Sequence, residues 1–234
     1  MIKKPKFIFI HIGKCAGGSI FKCLEQHGFK FCRLHLQEIK YIEGNQYVIS
    51  IRNPISRFVS AFNWRTRMVC EGLGRSNQEH RFEGEKELLE KYKTVNNLAE
   101  SLYIWSGKRG EIQNDLSLRE NYIHHIKEDI NFYIGNFLEE CRNEDILGVI
   151  ATETLSEDMK ELFGTKRVPW EKKPTKKYST YLSPLGYKNL AKYLHKDFDC
   201  VQDLYNMDLI SKSKYELLSE NNPVQEVLTP HDYI

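Results

Sequence analysis

The sequence lacks the features that mark several classes of protein. No two of its six cysteines form a C-x-x-C pair, so we predict neither a zinc site nor a thioredoxin-like motif, and we expect reduced thiols. The apolar run at 7–12 is interrupted by His11 and is too short for a signal peptide. No stretch approaches the roughly 18 apolar residues of a membrane span. We therefore expect a cytoplasmic protein with no stable membrane insertion.

A large excess of charge of one sign is also missing. The 34 Lys and Arg residues nearly balance the 32 Asp and Glu residues, and the net charge of +2 gives no support to nucleic-acid binding. The sequence has no internal repeat and no low-complexity segment. At 234 residues the chain is predicted to form a single domain, 1–234, with a loosely ordered tail over about 220–234. Its oligomeric state is not predicted.

What the sequence does contain begins with a strand, a loop and a helix. The β-branched and aromatic run 6–12 is bounded by Pro5 and Gly13, which is typical of a strand buried on both faces of a parallel sheet. A glycine-rich turn follows it. Helical spacing then starts at Gly18 and stops at Gly28. This order is half of a βαβ unit, and it predicts an α/β fold.

A second strand and helix follow in the same order. The strand is predicted over 46–51, and Asn53 and Pro54 are an N-cap and a first helical residue for a helix that ends near Met68. Further helices are predicted over 85–92, 97–105, 118–128, 156–163, 183–194 and 197–205, further strands over 131–135 and 146–151, and long loops over 69–85 and 166–181. The alternation predicts a central, mainly parallel sheet flanked by helices.

The first motif is the loop HIGKCAGGS at 11–19, between the first strand and its helix. Backbone N–H groups and the positive end of a helix meet there, which suits a phosphate or sulfate. Lys14 adds a charge, and Ser19 adds a hydroxyl. A Walker A loop needs lysine directly after its last glycine, and a dinucleotide loop needs G-x-G-x-x-G, so neither ATP hydrolysis nor NAD chemistry is favoured. The alternative is a tight turn that binds nothing.

The second motif lies where the second strand meets its helix. Ser56 and Ser60 are four residues apart on one helical face near Arg52, so a guanidinium and hydroxyls could hold a doubly charged phosphate. Arg57 is either a ligand of the same phosphate or one half of a surface ion pair. Two anion-binding elements, each at a strand-to-helix junction, predict a ligand with two anionic ends.

Both motifs resemble those of carbohydrate sulfotransferases that use 3′-phosphoadenosine 5′-phosphosulfate (PAPS). The first is similar to H-I-x-K-T-G-G-T-S, with Cys15 and Ala16 as departures, and the second to R-D-P-x-x-R-x-x-S, with Asn53 in place of aspartate. The resemblance implies a P-loop-NTPase-like three-layer sandwich. It also implies a 5′-phosphosulfate site at Lys14, Cys15, Ala16, Gly17, Gly18, Ser19 and Ile20, and a 3′-phosphate site at Arg52 and Ser60.

The implied reaction is in-line transfer of a sulfuryl group from PAPS to a carbohydrate hydroxyl. The products are a sulfated oligosaccharide or polysaccharide and adenosine 3′,5′-bisphosphate, and no metal is expected. Lys14 would stabilise the leaving phosphate, and a base must take the hydroxyl proton. His35 matches the base in the H-x-x-x-x-[LF] segment of heparan sulfate 6-O- and 2-O-sulfotransferases. His124 and His125, adjacent on a predicted helix, and Glu38 are the alternatives.

Several secondary expectations accompany this prediction. The Cys15 thiol at a helix N-terminus is expected to have a lowered pKa and to be open to oxidation. His11 is expected to pack rather than to bind. The basic segment 172–177 lies where such enzymes carry a loop that closes over the nucleotide. Trp64, Trp105 and Trp170 are candidates for stacking on sugar rings.

Two other classes of function stay open. A P-loop-like kinase or NTPase would need a Ser or Thr directly after a P-loop lysine and a Walker B carboxylate, and the sequence shows no such pair. A catalytically inactive nucleotide- or glycan-binding protein is the other alternative. The retained lysine, arginine, serine and histidine argue against it.

Overall fold

The chain alternates between strands and helices along most of its length. The computed structural model describes residues 7–72, 78, 81–106, 111–114, 123–165, 168 and 178–220. The strands are β1 (Phe7–His11), β2 (Phe31–Leu34), β3 (Tyr47–Ile51), β4 (Tyr103–Ser106), β5 (Glu111–Asn114) and β6 (Ile146–Ala151). The helices are α1 (Gly17–Gln26), α2 (Pro54–Val69), α3 (Glu85–Tyr92), α4 (Val95–Ser101), α5 (Ile130–Glu140), α6 (Leu155–Phe163), α7 (Pro184–Tyr193), α8 (His195–Asn206) and α9 (Lys212–Ser219).

Four parallel strands form the central sheet, in the order β2-β1-β3-β6. The chain leaves β1 toward β2 on one side and then returns to β3 on the other side of β1. The direction of winding therefore reverses between β1 and β3, and in open α/β sheets ligands bind outside the carboxyl ends of the strands at such a point. The predicted α/β class and parallel sheet are confirmed.

Both faces of the sheet are covered by helices. Phe7 and Phe9 of β1 pack with α1 and α6 on one face, while Ile10 packs with α5, α8 and α9 on the other. Successive strand residues point to opposite faces, so an uninterrupted apolar run can be buried on both. Each such side chain stabilises the fold by roughly 1.5–3 kcal/mol when it is fully buried. A further apolar cluster joins α2, α3, α4 and α7.

The start of α2 was predicted correctly, and it also contacts the end of α9. The Asn53 Oδ1 atom accepts a hydrogen bond from the Ser56 N–H at 2.9 Å, with Pro54 at the first helical position. Its Nδ2 atom donates to the carbonyl oxygens of Leu218 and Glu220 at 3.0 and 3.1 Å. One side chain therefore caps α2 and holds the end of α9 beside it.

The predicted strand 131–135 is wrong, because this segment belongs to helix α5. The Asp129 carboxylate caps the helix by accepting a hydrogen bond from the Phe132 N–H at 2.7 Å. The buried residues then follow a helical period: Ile130, Tyr133, Ile134, Phe137 and Leu138. A five-residue window was too short to show that period.

Two predicted helices also need correction. Over the described part of 118–128, residues 123–128 form turns, because His125 has a left-handed backbone (φ 67°) and a side chain closes the turn. The helix predicted over 97–105 is α4, which begins after the Thr94 cap and ends at Ser101. The next residues, rich in β-branched and aromatic side chains, pair as β4 with β5 in an antiparallel ladder.

The remaining elements divide into confirmed, missed and undescribed ones. The strand β6 and the helices α3, α6, α7 and α8 match their predictions closely, whereas the short edge strand β2 and helix α9 were missed. The tail beyond 220, the basic segment 172–177 and much of the loop 69–85 lie outside the described residues. All six cysteines are described, and none of them forms a disulfide bond. Among the helices that are described, none combines the length and the apolar character needed to cross a membrane.

Candidate functional site

The carboxyl ends of all four sheet strands border one cavity of about 420 Å³. The loop after β1 contributes Lys14, and the ends of β2, β3 and β6 contribute His35, Arg52 and Thr152. Ser60 reaches the same cavity from α2. The structure therefore brings the predicted base and residues of both predicted anion-binding motifs to one place.

The loop between β1 and α1 has an unusual backbone. Lys14 and Ala16 both lie in the left-handed region, with φ of 70° and 53°. For residues other than glycine this conformation costs roughly 1–2 kcal/mol each, so the surrounding structure must hold it. Helix α1 starts directly after the loop, and its first-turn N–H groups have no partner within the helix. The loop thus places the positive end of α1 at the cavity.

Arg57 holds this loop from beneath. Its guanidinium is only 1% exposed, and its Nε donates to the Gly13 carbonyl oxygen at 2.9 Å. Its second terminal nitrogen donates to the Glu128 carbonyl oxygen. Neither sequence alternative for Arg57 is correct, because it forms no surface ion pair and does not border the cavity within the described residues. It joins the loop to the turn at 123–128.

Two predicted cofactor-binding residues point away from the cavity. The side chains of Cys15 and Ile20 are fully buried, each in the apolar layer on a different face of the sheet. Only their backbone groups are available to a ligand in the cavity. Burial raises the pKa of the Cys15 thiol to about 12, against the opposing effect of Arg57 and Arg52. The expectation of a lowered pKa and easy oxidation is wrong.

Lys14 and Trp64 meet at the border of the cavity. The Lys14 Nζ lies 4.4 Å from the centroid of the Trp64 ring. Such a contact holds a cation over an aromatic face without neutralising it. Of the three candidate stacking residues, Trp64 borders the cavity, and the side chains of Trp105 and Trp170 lie outside the described part of the structure.

His35 is oriented by a backbone hydrogen bond. Its Nδ1 lies 2.8 Å from the carbonyl oxygen of His11. A carbonyl only accepts, so Nδ1 carries the proton of the neutral ring and Nε2 keeps a lone pair. Burial lowers the pKa of His35 below its usual value, with Arg33 adding to the effect and the bond to His11 opposing it. The ring is therefore a proton acceptor near neutral pH.

Position 17 requires glycine because the ring of His11 lies against it. The His11 ring stacks on His35 and Phe9, with centroids 4.0 and 5.8 Å apart. A Cβ atom at Gly17 would lie 1.9 Å from the His11 Cδ2 and 2.0 Å from its Nε2. Gly17 thus lets the start of α1 approach an imidazole. His11 packs, as predicted, and it also borders the cavity.

Arg52 lies between two cavities. Arg52 and Ser60 both border the cavity described above. Arg52 also borders a second cavity, of about 350 Å³, together with Ser56 and Glu153. The two serines therefore border different cavities, although they were predicted to bind one anion. Burial raises the pKa of Glu153, whose Oε1 accepts a hydrogen bond from the Asn53 N–H at 3.1 Å.

The alternative bases are placed differently from their prediction. His124 and His125 lie buried in a turn rather than on a helix, and their rings stack with centroids 4.0 Å apart. Burial is the largest of the effects that lower the pKa of His124 to about 3 and that of His125 further still, and nearby positive charges add to it. His125 borders the cavity and lies 5.9 Å from His35 between ring centroids. Glu38 is exposed, accepts a hydrogen bond from Asn136 and lies outside the lining that the described residues form.

Sequence reasoning missed Arg33 and Thr152, which border the cavity. It named His125 as an alternative base but did not predict its position at the cavity. Arg33 lies on β2 and His35 directly follows that strand, so recognition of the strand would have placed both residues at one edge of the sheet. His125 has no such signal, because its approach to Gly13 depends on a contact between distant parts of the chain.

The arrangement can bind a ligand with separated negative charges and accept a proton beside it. Lys14, the start of α1 and Arg52 supply positive potential, while His35 supplies a lone pair in the same cavity. Comparisons of the chain with protein-family models, with curated proteins and with solved structures found no match. The motifs and the geometry of the cavity are therefore the features that indicate a function.

Proposed function

We propose that the protein is a sulfotransferase that transfers a sulfuryl group from PAPS to a hydroxyl of an oligosaccharide or polysaccharide. The observation that supports this most is that residues of both anion-binding motifs and His35 border one cavity. The helix-covered parallel sheet is compatible with the P-loop-NTPase-like sandwich that the motif resemblance implies. Two separate observations thus support the proposal: the sequence resemblance of the motifs, and the position of their residues around one cavity.

In this proposal each end of the nucleotide has its own group of residues. The 5′-phosphosulfate would be held by Lys14, the Ser19 hydroxyl and the N–H groups at the start of α1. The 3′-phosphate would be held by Arg52 and Ser60. Neither Cys15 nor Ile20 would contribute a side chain, since both are buried in the apolar core.

The chemical step is an in-line displacement at sulfur. The acceptor oxygen forms a bond to sulfur while the bond from sulfur to the bridging phosphate oxygen breaks, and adenosine 3′,5′-bisphosphate leaves. His35 Nε2 accepts the proton of the attacking hydroxyl, because its Nδ1 is held by the His11 carbonyl. Lys14 stabilises the negative charge that develops on the leaving phosphate. No covalent intermediate on the protein is needed.

Ligand-dependent stability is the first prediction. Adenosine 3′,5′-bisphosphate at about 100 times its Kd should stabilise the protein by about 2.7 kcal/mol and raise Tm by about 5–11 °C. ATP with Mg²⁺ should have a much smaller effect. The shift should be reduced in Lys14→Ala and Arg52→Ala, because each variant removes a cation from the cavity. Lys196→Ala, which removes an exposed lysine on α8, serves as the matched control.

The possible results separate the functions considered from the sequence. Stabilisation by ATP with Mg²⁺ alone would favour a kinase or NTPase and overturn the proposal. Stabilisation by the bisphosphate, without transfer of label from PAPS to any carbohydrate in a broad acceptor screen, would favour an inactive binding protein. Transfer of label to one glycan class would identify the acceptor.

The pH dependence of turnover is the second prediction. Because burial lowers the pKa of His35 below its usual value of 6.5, the ring stays unprotonated at neutral pH. The value of kcat/KM should therefore be constant above about pH 6.5 and should fall only as the pH drops through the lowered pKa. Nucleotide affinity measured over the same range controls for protonation of the phosphates, whose second pKa is about 6. An acid limb centred above pH 7 would contradict the assignment.

A further inference from the structure

Three potential metal ligands lie together in the turn at 123–128, beside the cavity. The ligand atoms of His124, His125 and Glu128 all lie within 4.8 Å of one another, and all three residues are buried. The distance between His124 Nδ1 and Glu128 Oε2 is 3.2 Å. Two ligands of one tetrahedral Zn²⁺ lie about 3.3 Å apart when each bond is about 2.0–2.1 Å. This pair is thus already at the spacing of ligands that share an ion.

The third ligand has a nitrogen that no described residue satisfies. His125 is only 8% exposed, and among the described residues its buried Nδ1 has no hydrogen-bond partner. Buried polar atoms almost always have partners, so this nitrogen requires one that the described residues do not supply, and a bound ion is such a partner. The left-handed backbone of His125 (φ 67°) is a further local strain of the kind found at functional sites.

The turn is held in place by contacts around the three ligands. The His124 N–H donates to Glu85 Oε1 at 2.8 Å, and the His125 N–H donates to Glu128 Oε2 at 2.7 Å. Arg57 donates to the Glu128 carbonyl oxygen rather than to its carboxylate. Outer contacts of this type orient metal ligands and strengthen metal binding.

We propose that His124, His125 and Glu128 bind a divalent transition-metal ion of the Zn²⁺ type. Two imidazoles and one carboxylate are ligands that Zn²⁺, Co²⁺, Ni²⁺ and Fe²⁺ accept, whereas Mg²⁺ and Ca²⁺ prefer oxygen ligands alone. Three protein ligands leave at least one coordination position open. Because His125 borders the cavity, water or an oxygen of a bound anion is available for that position.

Nearby charges set the expected strength of binding. The charge of Arg65 is compensated by Glu85, with two contacts of 2.6 and 2.8 Å. Lys14 acts on both histidines as a positive charge, Arg81 acts on His124 and Arg57 on His125, and Glu128 supplies one negative charge. We therefore expect binding weaker than in a site with several carboxylates. An anion in the cavity should strengthen it, and by linkage the ion should strengthen anion binding by the same factor.

The test is a titration of the untagged protein with Co²⁺ in the absence of nucleotide. We expect one ion per chain, a visible ligand-field spectrum typical of mixed nitrogen and oxygen ligands, and displacement by Zn²⁺. Both His125→Ala and Glu128→Gln should weaken binding at least tenfold. Glu128→Gln nearly preserves the shape of the side chain and keeps an acceptor for the His125 N–H, so it guards against loss of folding. His195→Ala and Glu38→Gln remove exposed potential ligands elsewhere and should bind as the wild type does.

Two results would overturn the proposal. One is the absence of stoichiometric Co²⁺ binding by the wild-type protein at micromolar concentrations. The other is binding that Glu128→Gln, verified as folded by circular dichroism, leaves unchanged. Neither result bears on sulfuryl transfer, because no nucleotide is present and the transfer step uses His35 and Lys14. Failure of the metal site and failure of the proposed function can therefore be distinguished.

Discussion

His35→Asn is expected to lower kcat by about 10²–10⁴-fold while the affinity for adenosine 3′,5′-bisphosphate stays unchanged. Asparagine offers an N–H that can still donate to the His11 carbonyl oxygen, which His35 Nδ1 contacts at 2.8 Å. What it lacks is the lone pair of Nε2, so only the proton acceptor is removed. The measurement is steady-state transfer of labelled sulfate from PAPS, together with calorimetric titration of the bisphosphate.

The control for this variant is His27→Asn, which changes an exposed histidine at the end of α1. It should leave both measured quantities as in the wild type. Normal turnover by His35→Asn would show that another group accepts the proton, and His125 would be the next candidate because it borders the same cavity. A loss of bisphosphate affinity in His35→Asn would instead indicate that the histidine supports the nucleotide site.

Gly17→Ala is expected to disrupt the loop before α1, although it adds only one methyl group. Its Cβ atom would lie 1.9 and 2.0 Å from two atoms of the His11 ring, distances that require the ring or the helix to move. Forcing an extra carbon into a packed site typically costs about 1–3 kcal/mol. We expect a loss of this size in the free energy of unfolding, measured with urea, and at least a tenfold loss of bisphosphate affinity.

A second substitution tests the cause of this effect. Replacement of His11 by serine removes the ring that the new methyl group would strike, so His11→Ser combined with Gly17→Ala should be more stable than the sum of the single changes predicts. Such non-additivity is the expected sign of a direct contact. Strict additivity of the two unfolding free energies, or wild-type stability of Gly17→Ala, would show that the close approach is not what requires glycine.

Elements marked by short-range chemical signals were predictable from the sequence. Asn53 and Pro54 identify the start of α2, and the glycines at 28 and 164 adopt the left-handed backbone expected just after a helix, with φ of 67° and 64°. The buried strands were visible as apolar runs. These features depend on neighbours within a few residues, and the sequence alone contains that information.

Elements that depend on distant partners were not predictable. The edge strand β2 exists because Phe31 to Leu34 pair with Phe7 to Ile10, more than twenty positions earlier. The residues 131–135 have strand-like composition, and the longer helical period with its Asp129 cap overrides it. Local propensity is a weak guide where packing decides the conformation.

At the candidate site, too, local sequence signals were informative and contacts with distant residues were not predictable. The motifs suggested which residues would meet at the cavity, and eight of the predicted site residues border it: Lys14, Ala16, Gly17, Gly18, Ser19, His35, Arg52 and Ser60. The burial of Cys15 and Arg57 was not evident, because a residue in a loop or on an amphipathic helix gives no sign of what covers it. The spacing of His124, His125 and Glu128 would bring them close even on the helix predicted at 118–128, but their burial was not evident from the sequence.

The burial of Arg57 has an electrostatic consequence for any anion that enters the cavity. Its described hydrogen-bond partners are the carbonyl oxygens of Gly13 and Glu128. The carboxyl groups of Glu128, Asp129 and Asp197 also lie near it, but burial raises the pKa of each, so they offset its positive charge only in part. The guanidinium is always charged, and counterions cannot approach it closely because it is 1% exposed. An anion on the loop above is attracted by a charge that it never touches. That part of the attraction should persist at ionic strengths that screen Lys14 and Arg52.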